Sequence, residues 1–447
     1  MLTATSSSPA ERRFPFARRN FLLFLFDYML FGAAFALVSP SSVIPDFINK
    51  LTDNEIIIGL AGAVHTILWL APQLLFAQVV ARRTRRQPFL LPAIPARLMA
   101  LVFAVIIFTS GGDATPILLG FFAFSILFWI GDGLVTITWA DLLGSTLTAS
   151  QRSMLYTIGQ LGVAVGALAA REVIRVLLGD GGSAFPGNYG TLFLIAGSIF
   201  VMGGVCLAFI REPEANAEIQ PGPTLRQFLP YIGQVMKTDG AFRHFAIMRL
   251  FFDFSTMAVP FYIILGTDVL GQSNSTLVGD SILLVTLSNA ALSILNGWLS
   301  RRQGPSAVLR FASLFKIALP GLALLAIATR SVTALHAAFF TIGAINGSYG
   351  PGYFDWVITH APNDRRPIYI GLTNTISAVG NISPFIGGFI LNFALSAMNQ
   401  PKGAAQGPAF AILFSCALVM TIIGAVMSLA LADPHGRVAS RATPASA

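Results

Sequence analysis

The stretch "FLLFLFDYMLFGAAF", Phe21 to Phe35, is apolar and aromatic except for one carboxylate, Asp27. A charge at the centre of a membrane-spanning run costs roughly 3 kcal/mol on insertion scales. Reading this stretch therefore means asking what solvent it faces, and the rest of the chain answers. Of 447 residues, 55% are hydrophobic and only 11% are charged, against about 25% charged in soluble domains. Apolar runs of about 20 residues recur along nearly the whole length, the pattern of repeated membrane-spanning helices. The expected fold class is an all-α polytopic membrane protein.

Runs bounded by charges or by Gly, Pro, Asn and Asp clusters give about twelve spans. In the first half they cover 18–45, 54–79, 88–110, 115–143, 153–177 and 189–210. In the second half they cover 243–268, 276–300, 305–328, 332–358, 367–394 and 408–432. The formal charge of +8 does not point to nucleic acid, because the arginines sit in short gaps between apolar runs. Arg12, Arg13, Arg18 and Arg19, then Arg82, Arg83, Arg85 and Arg86, then Arg301 and Arg302, then Arg365 and Arg366, all fall on one side. That asymmetry predicts cytoplasmic termini. The basic start resembles the opening of a signal peptide, but its apolar run is too long and shows no cleavage site.

The expected organisation is a tail over 1–17, a six-helix half over 18–210, a linker over 211–242, a second half over 243–432 and a tail over 433–447. The linker carries "REPEANAEIQPGP" and then Leu225, Phe228, Leu229, Ile232, Val235 and Met236 at helical spacing, which predicts an amphipathic surface helix. Cys206 and Cys416 lie inside apolar runs and read as packing residues.

The halves repeat. "LFDY" around Asp27 answers "FFDF" around Asp253, an offset of 226. The RRQ triplets of "RRTRRQPF" and "SRRQGPS" are offset by 216, and Asp141 with Arg152 answers Asp355 with Arg366 at 214. Ordered matches of this kind mark repeat-built transporters.

Over essentially its full length the chain resembles the major facilitator superfamily (MFS), with two six-helix halves, inside termini, a long central loop and basic loops after spans 2 and 8. The family pattern in those loops is G-x-x-x-D-R-x-G-R-R. Here the second copy reads "GWLSRRQG" and lacks the acid, and the first keeps only its basic cluster. The resemblance implies that loop arginines latch neighbouring helix ends. Arg82, Arg83, Asp141, Arg152, Arg301, Arg302, Asp355 and Arg366 are the expected cytoplasmic gate, with Asp141 and Asp355 standing in for the absent loop acids. "GVAVGALAA" and "GNISPFIGG" carry small residues at spacings that let helices approach closely.

Counting in from the loops at ~1.5 Å per residue places Asp27, His65, Arg97, Asp132, Asp253 and Lys316 near the midplane, with Arg249 one turn away. Ionisable residues at that depth mark a substrate or proton path, or pair with one another. These seven are the expected proton-coupling or substrate residues. Permanent Asp27–Arg97 or Asp253–Arg249 bridges are the structural alternative. Tyr28, Trp129, Asn289, Tyr349 and Tyr353 are expected to line the same cavity, while Trp139, Trp298 and Trp356 fit an interfacial belt.

The chain contains no phosphate-binding G-x-x-x-x-G-K-[ST], no H-E-x-x-H and no G-x-S-x-G. Neither an ATP-driven pump nor an enzyme is expected, and no cofactor or metal. Midplane charges of both signs on different helices disfavour a channel. The expected function is a secondary active transporter of a small solute in a bacterial inner membrane, proton-coupled, working as a monomer in the lipid bilayer. The 37 phenylalanines favour an apolar cavity and export. A transporter fold acting as a sensor or regulator is the alternative.

Overall fold

The computed structural model describes residues 15–73, 76, 79, 80, 83–179, 182, 184–212, 233–361, 366–399 and 403–432. All regular elements among these residues are helical. In chain order they are α1 (Ala17–Leu37), α2 (Val43–Leu51), α3 (Glu55–Leu70), α4 (Ala93–Thr109), α5 (Ala114–Thr146), α6 (Ala149–Leu178) and α7 (Gly187–Ala208). There follow α8 (Gly240–Phe254), α9 (Asn274–Gln303), α10 (Pro305–Thr329), α11 (Val332–His360), α12 (Arg366–Gly380), α13 (Ser383–Met398) and α14 (Gly407–Leu429). Helix is found within every expected span, and nine runs among the described residues are long and apolar enough to cross a bilayer. Most of the amphipathic linker helix, most of the first tail and the whole of the second lie outside the described residues.

Local chemistry sets the helix ends. Asp113 caps α5 by accepting from the Thr115 N–H at 3.0 Å, and Ser331 caps α11 through the Ala334 N–H at 3.2 Å. The "RRQGP" segment places Arg301 and Arg302 in the last turn of α9, where they complement the helix dipole. Gly304 then turns the chain at φ 81°, and Pro305 opens α10. The outward faces carry large apolar side chains, such as Ile294 at 77% and Phe393 at 76% exposed. Faces of this kind suit a bilayer as solvent.

The chain forms two compact units. The first takes residues 1–37, 72–170 and 185–225. There α7 packs on α1 and α4, and α4 packs on α5. Its core joins Phe24, Val135, Leu142, Leu155 and Leu207 to an aromatic stack in which Phe103 meets Phe193 edge-on at 4.7 Å.

The second unit takes residues 38–71, 171–184 and 226–447. In it α11 packs on α9 and α10, α14 packs on α10 and α8, and α3 packs on α13. Its core is built on Phe242, Phe245, Phe252, Trp356 and Leu372. The "PFIGG" glycines do allow close approach: a Cβ at Gly388 would collide with the Glu55 and Ile56 backbone of α3. Beyond Phe254 the helical path of α8 breaks into a 3₁₀ turn over Ser255–Ala258, a short helix Phe261–Ile264 and a π turn over Leu265–Val269. Pro260 explains the break, since it lacks an N–H and clashes with the preceding turn. The Asp253 carbonyl at the break accepts from the Ser383 hydroxyl at 3.0 Å and from Thr256 at 2.6 Å. Neighbouring hydroxyls often satisfy such carbonyls inside membranes.

Candidate functional site

In the first unit, α1, α4 and α5 bring Asp27, Arg97 and Asp132 together. Arg97 Nη1 donates to Asp27 Oδ1 at 2.6 Å and to the Phe200 carbonyl at 3.3 Å. Arg97 Nη2 donates to Asp132 Oδ1 at 3.3 Å. All three residues are at least 96% buried, so water contributes little to holding these charges. Phe31 lies under the guanidinium, 5.0 Å from its carbon. The α7 backbone comes close because position 203 is glycine: a Cβ there would sit 3.0 Å from both Arg97 Nη1 and Asp27 Oδ1. One cation thus serves two carboxylates.

The second unit has a cluster of different composition. Arg249 and Asp253 sit one turn apart on α8, joined Nε to Oδ2 at 3.3 Å. Lys316 on α10 donates to the Phe252 carbonyl at 3.0 Å, and its Nζ lies 4.4 Å from the Tyr349 ring of α11. Arg249 packs flat on the Tyr353 ring at 3.6 Å. Arg249 Nη1 and the Tyr349 hydroxyl are buried without a hydrogen-bond partner among the described residues. A Cβ at Gly380 of α12 would collide with Asp253, so that helix closes directly over the carboxylate. Among the described residues this group has two buried cations and one carboxylate, which pairs with Arg249.

The remaining expected residues are dispersed. His65 on α3 uses both ring nitrogens within its own helix, at Gly62 O (3.0 Å) and Thr66 Oγ1 (2.8 Å). Tyr28 stacks near Trp139 at 6.3 Å and meets Tyr156 edge-on. Trp129 is 92% buried between Phe128 and Phe35, an aromatic packing position in the first unit. Asn289 accepts from Ser293 at 3.4 Å. Trp356 departs from the expected belt: it is fully buried, stacked between Phe245 at 4.3 Å and His360 at 4.6 Å, with Nε1 donating to Ala432. Its ring belongs to the core of the second unit, with Phe242, Phe245 and Leu372. Trp298 does sit at the surface, under Arg302 at 4.6 Å.

At the helix ends the partners differ from those expected. Asp141 is held by Arg86 at 2.6 Å, whereas Arg152 donates to the Gly144 and Leu147 carbonyls at 3.0 and 2.9 Å. The eleven-residue spacing leaves Arg152 at the start of α6, where the carbonyls closing α5 are its nearest acceptors. Asp355 accepts from Ser300. Arg83, Arg301 and Arg302 are exposed, while Arg82 and the Arg366 side chain lie outside the described residues. Arg86–Asp141 and Ser300–Asp355 are both spaced by 55 and offset by 214 from each other. The repeat therefore extends to this contact, with Ser300 in the place of Arg86.

A further group had not been anticipated. Asp239 caps α8 through the Phe242 N–H at 3.0 Å and also pairs with His360 (2.8 Å) and Tyr369 (2.9 Å). Burial alone would raise the Asp239 carboxyl, but His360, the Phe242 N–H and Tyr369 outweigh it and hold the group well below the usual carboxylate range. The one available signal was aspartate immediately before an apolar helix, an N-cap pattern.

The Major Facilitator Superfamily model matches residues 20–384. The chain belongs to this family of membrane transporters and is an integral membrane protein. Among solved structures, a bacterial homolog of the human lysosomal transporter Spinster, in an inward-facing, unoccupied conformation, aligns with a TM-score of 0.67 at 16% identity, covering 96% of this chain and 99% of that one. A D-xylose–proton symporter aligns with a TM-score of 0.66 at 15% identity, covering 91% and 97%. A POT family transporter in complex with a thioalcohol-conjugated peptide aligns at 0.67 and 14% identity, covering 92% and 96%. No curated protein matches the chain by sequence. These likenesses establish the fold.

Proposed function

We propose that the protein is a secondary active transporter that moves a small solute by alternating access, coupled to protons through the Asp27–Arg97–Asp132 cluster. One observation carries this reading: a single buried guanidinium is shared by two buried carboxylates, at 2.6 and 3.3 Å. Ionised carboxylates would leave the cluster with one net negative charge in a low-dielectric setting, which is costly. Its neutral form carries one proton on a carboxylate. Asp27 and Asp132 compete for the same cation, so a movement of α1 or α5 that favours one frees the other to take or release that proton. Asp27 is the first coupling residue and Asp132 its alternate; Asp253 stays with Arg249.

The absence of an ATP-binding motif and the family membership support gradient-driven transport. The arginine-rich loops support cytoplasmic termini in a bacterial inner membrane, and the aromatic content favours export. The Arg86–Asp141 and Ser300–Asp355 contacts serve as the gate at those loops.

The test is a thermal-shift screen of the purified protein over a chemically broad solute panel at pH 6 and pH 8, beside Asp27→Asn. A ligand that binds only the folded state raises the melting temperature by mass action. A hit whose shift depends on pH in the wild type and not in the variant is the expected result. Proteoliposome uptake of that hit should then follow an imposed pH gradient. Hits that ignore both pH and Asp27 would make the aspartate structural and end the coupling model.

A further inference from the structure

The second cluster contains more cationic charge than it neutralises. Arg249 and Lys316 are both at least 96% buried, and among the described residues Asp253 is the one carboxylate paired in this group. No ion pair to Lys316 within 4.0 Å is found among the described residues; its amine engages the Phe252 carbonyl. Buried cations are normally paired. In the first unit they are: both terminal nitrogens of Arg97 are occupied by Asp27, Asp132 and Phe200. Where α5 brings Asp132 to the α4 cation, α11 brings the Tyr349 ring to the α10 cation.

The donors left over have a definite character. Arg249 Nη1 and the Tyr349 hydroxyl are buried without partners among the described residues, and they belong to residues 98% and 94% buried. Native proteins rarely leave such groups unsatisfied, so each one calls for a role. Both belong to one packed group, since Arg249 lies over the Tyr353 ring at 3.6 Å and that ring meets Tyr349 at 5.4 Å. Arg249 packs face-on against Tyr353, which leaves the edge of the guanidinium as its binding direction. A guanidinium edge beside a hydroxyl donor suits a planar acceptor with two oxygens and one negative charge. The Phe252, Tyr349 and Tyr353 rings, in mutual contact at 5.3 and 5.4 Å, suit an apolar or aromatic body beside that acceptor.

We infer that Arg249, Lys316 and Tyr349 form a binding site for the carboxylate of a monoanionic organic solute. Naming that solute as the transported substrate rests on the transport reading above; the binding itself does not. One carboxylate against Arg249 and Lys316, with Asp253 already present, brings the cluster to charge balance.

The test uses the purified full-length protein in detergent at fixed ionic strength, with matched acid and amide pairs as probes. The pairs are acetate and acetamide, benzoate and benzamide, and 3-phenylpropionate and its amide. At least one acid should raise the melting temperature at millimolar concentration, while its amide, of the same shape but uncharged, should not. Arg249→Gln should abolish the shift. Tyr349→Phe removes only the hydroxyl and should weaken binding about tenfold, the usual effect of one hydrogen bond to a charged group. Arg175→Gln, which removes an exposed cation outside the cluster, should leave it unchanged. The inference is overturned if no acid shifts the protein, if acid and amide act alike, or if the shift survives Tyr349→Phe undiminished. The last comparison decides the matter even if Arg249→Gln does not fold. No gradient enters this assay, so its failure would leave the Asp27 test standing, and failure of proton coupling would leave this binding intact.

Discussion

Removing both carboxylates from the first cluster should cost far more than removing each one alone. Arg97, Asp27 and Asp132 have side chains only 3%, 5% and 6% exposed, so neither solvent nor salt screens them appreciably. Asp27→Asn removes a short charge-assisted hydrogen bond worth about 1.5–3 kcal/mol. Arg97 keeps Asp132 at 3.3 Å, so its charge stays compensated and the loss should fall toward the lower figure. Asp132→Asn removes the longer contact and should cost about 1 kcal/mol. The double variant leaves a buried guanidinium with no counter-charge, a situation that typically costs about 3–5 kcal/mol. The expected coupling between the two sites is therefore about 0.5–2.5 kcal/mol beyond the sum, within the range seen for residues in one network. The assay compares melting temperatures of the four proteins at pH 7 in one detergent, used as a ranking because membrane proteins often unfold irreversibly. Adding Arg97→Met to the double variant should recover much of the loss, since no charge then remains buried. Additive melting temperatures, or no recovery with methionine, would refute the shared-cation account.

Other perturbations follow from single contacts. Gly203→Ala places a Cβ 3.0 Å from Arg97 Nη1 and Asp27 Oδ1, an overpacking expected to cost about 1–3 kcal/mol; a lower melting temperature and weakened pH-linked binding should appear together. The Asp239 carboxyl is held below its unfolded value of ~3.9. Its stabilising effect is therefore complete above that value and is lost as pH falls from there toward the lower folded value. A melting curve between pH 3 and 7 should lose this acid-range slope in Asp239→Asn and show less of it in His360→Gln, which removes the strongest partner lowering the carboxyl. Arg86 and Asp141 are 23% and 35% exposed, so a double-mutant cycle should give no more than about 1 kcal/mol of coupling. Ser300→Arg should place a cation opposite Asp355, as Arg86 stands opposite Asp141, and a cycle with Asp355→Asn should then show coupling of similar size.

Much of the fold was legible because the apolar runs and the bilayer thickness impose the same length. Helical class and approximate spans follow from that constraint, while the family came from the resemblance of the two halves and their loops and is carried by the matching model. The repeat was legible from Asp27 and Asp253, whose neighbours "LFDY" and "FFDF" survive in both halves. Counting residues from the loops singled out seven ionisable positions; Asp27, Arg97, Asp132, Arg249, Asp253 and Lys316 are buried, and His65 is partly so. The pairing was harder to read. Whether Arg97 meets Asp27, Asp132 or both depends on helix rotation and on the room left at Gly203, which no periodicity reveals. The partner of Arg152 differs from the expected one for a related reason. A spacing of eleven links Asp141 to Arg152 in sequence, but the carbonyls that close α5 lie nearer to Arg152, and Arg86 arrives from a distant loop. Asp239, His360 and Tyr369 come from three separate segments, and only the N-cap aspartate leaves a local trace.

The two clusters show how a repeated scaffold can acquire different chemistry in each copy. Both place a cation on the third helix of the half, Arg97 on α4 and Lys316 on α10, and both place an aspartate on the first, Asp27 on α1 and Asp253 on α8. They differ in what meets these groups. In the first unit the aspartate reaches across to the cation at 2.6 Å and a second carboxylate joins it. In the second, Asp253 has an arginine of its own one turn away, so the α10 lysine is left to a carbonyl and the Tyr349 ring. Arg249 and Tyr349 therefore account for the change from one excess carboxylate to one excess cation. An excess carboxylate can be balanced by a proton, whereas an excess cation is balanced by an anion. The same architecture can thus assign the coupling ion to one unit and the solute's charge to the other, so that loss of Asp27 and loss of Arg249 affect different ligands.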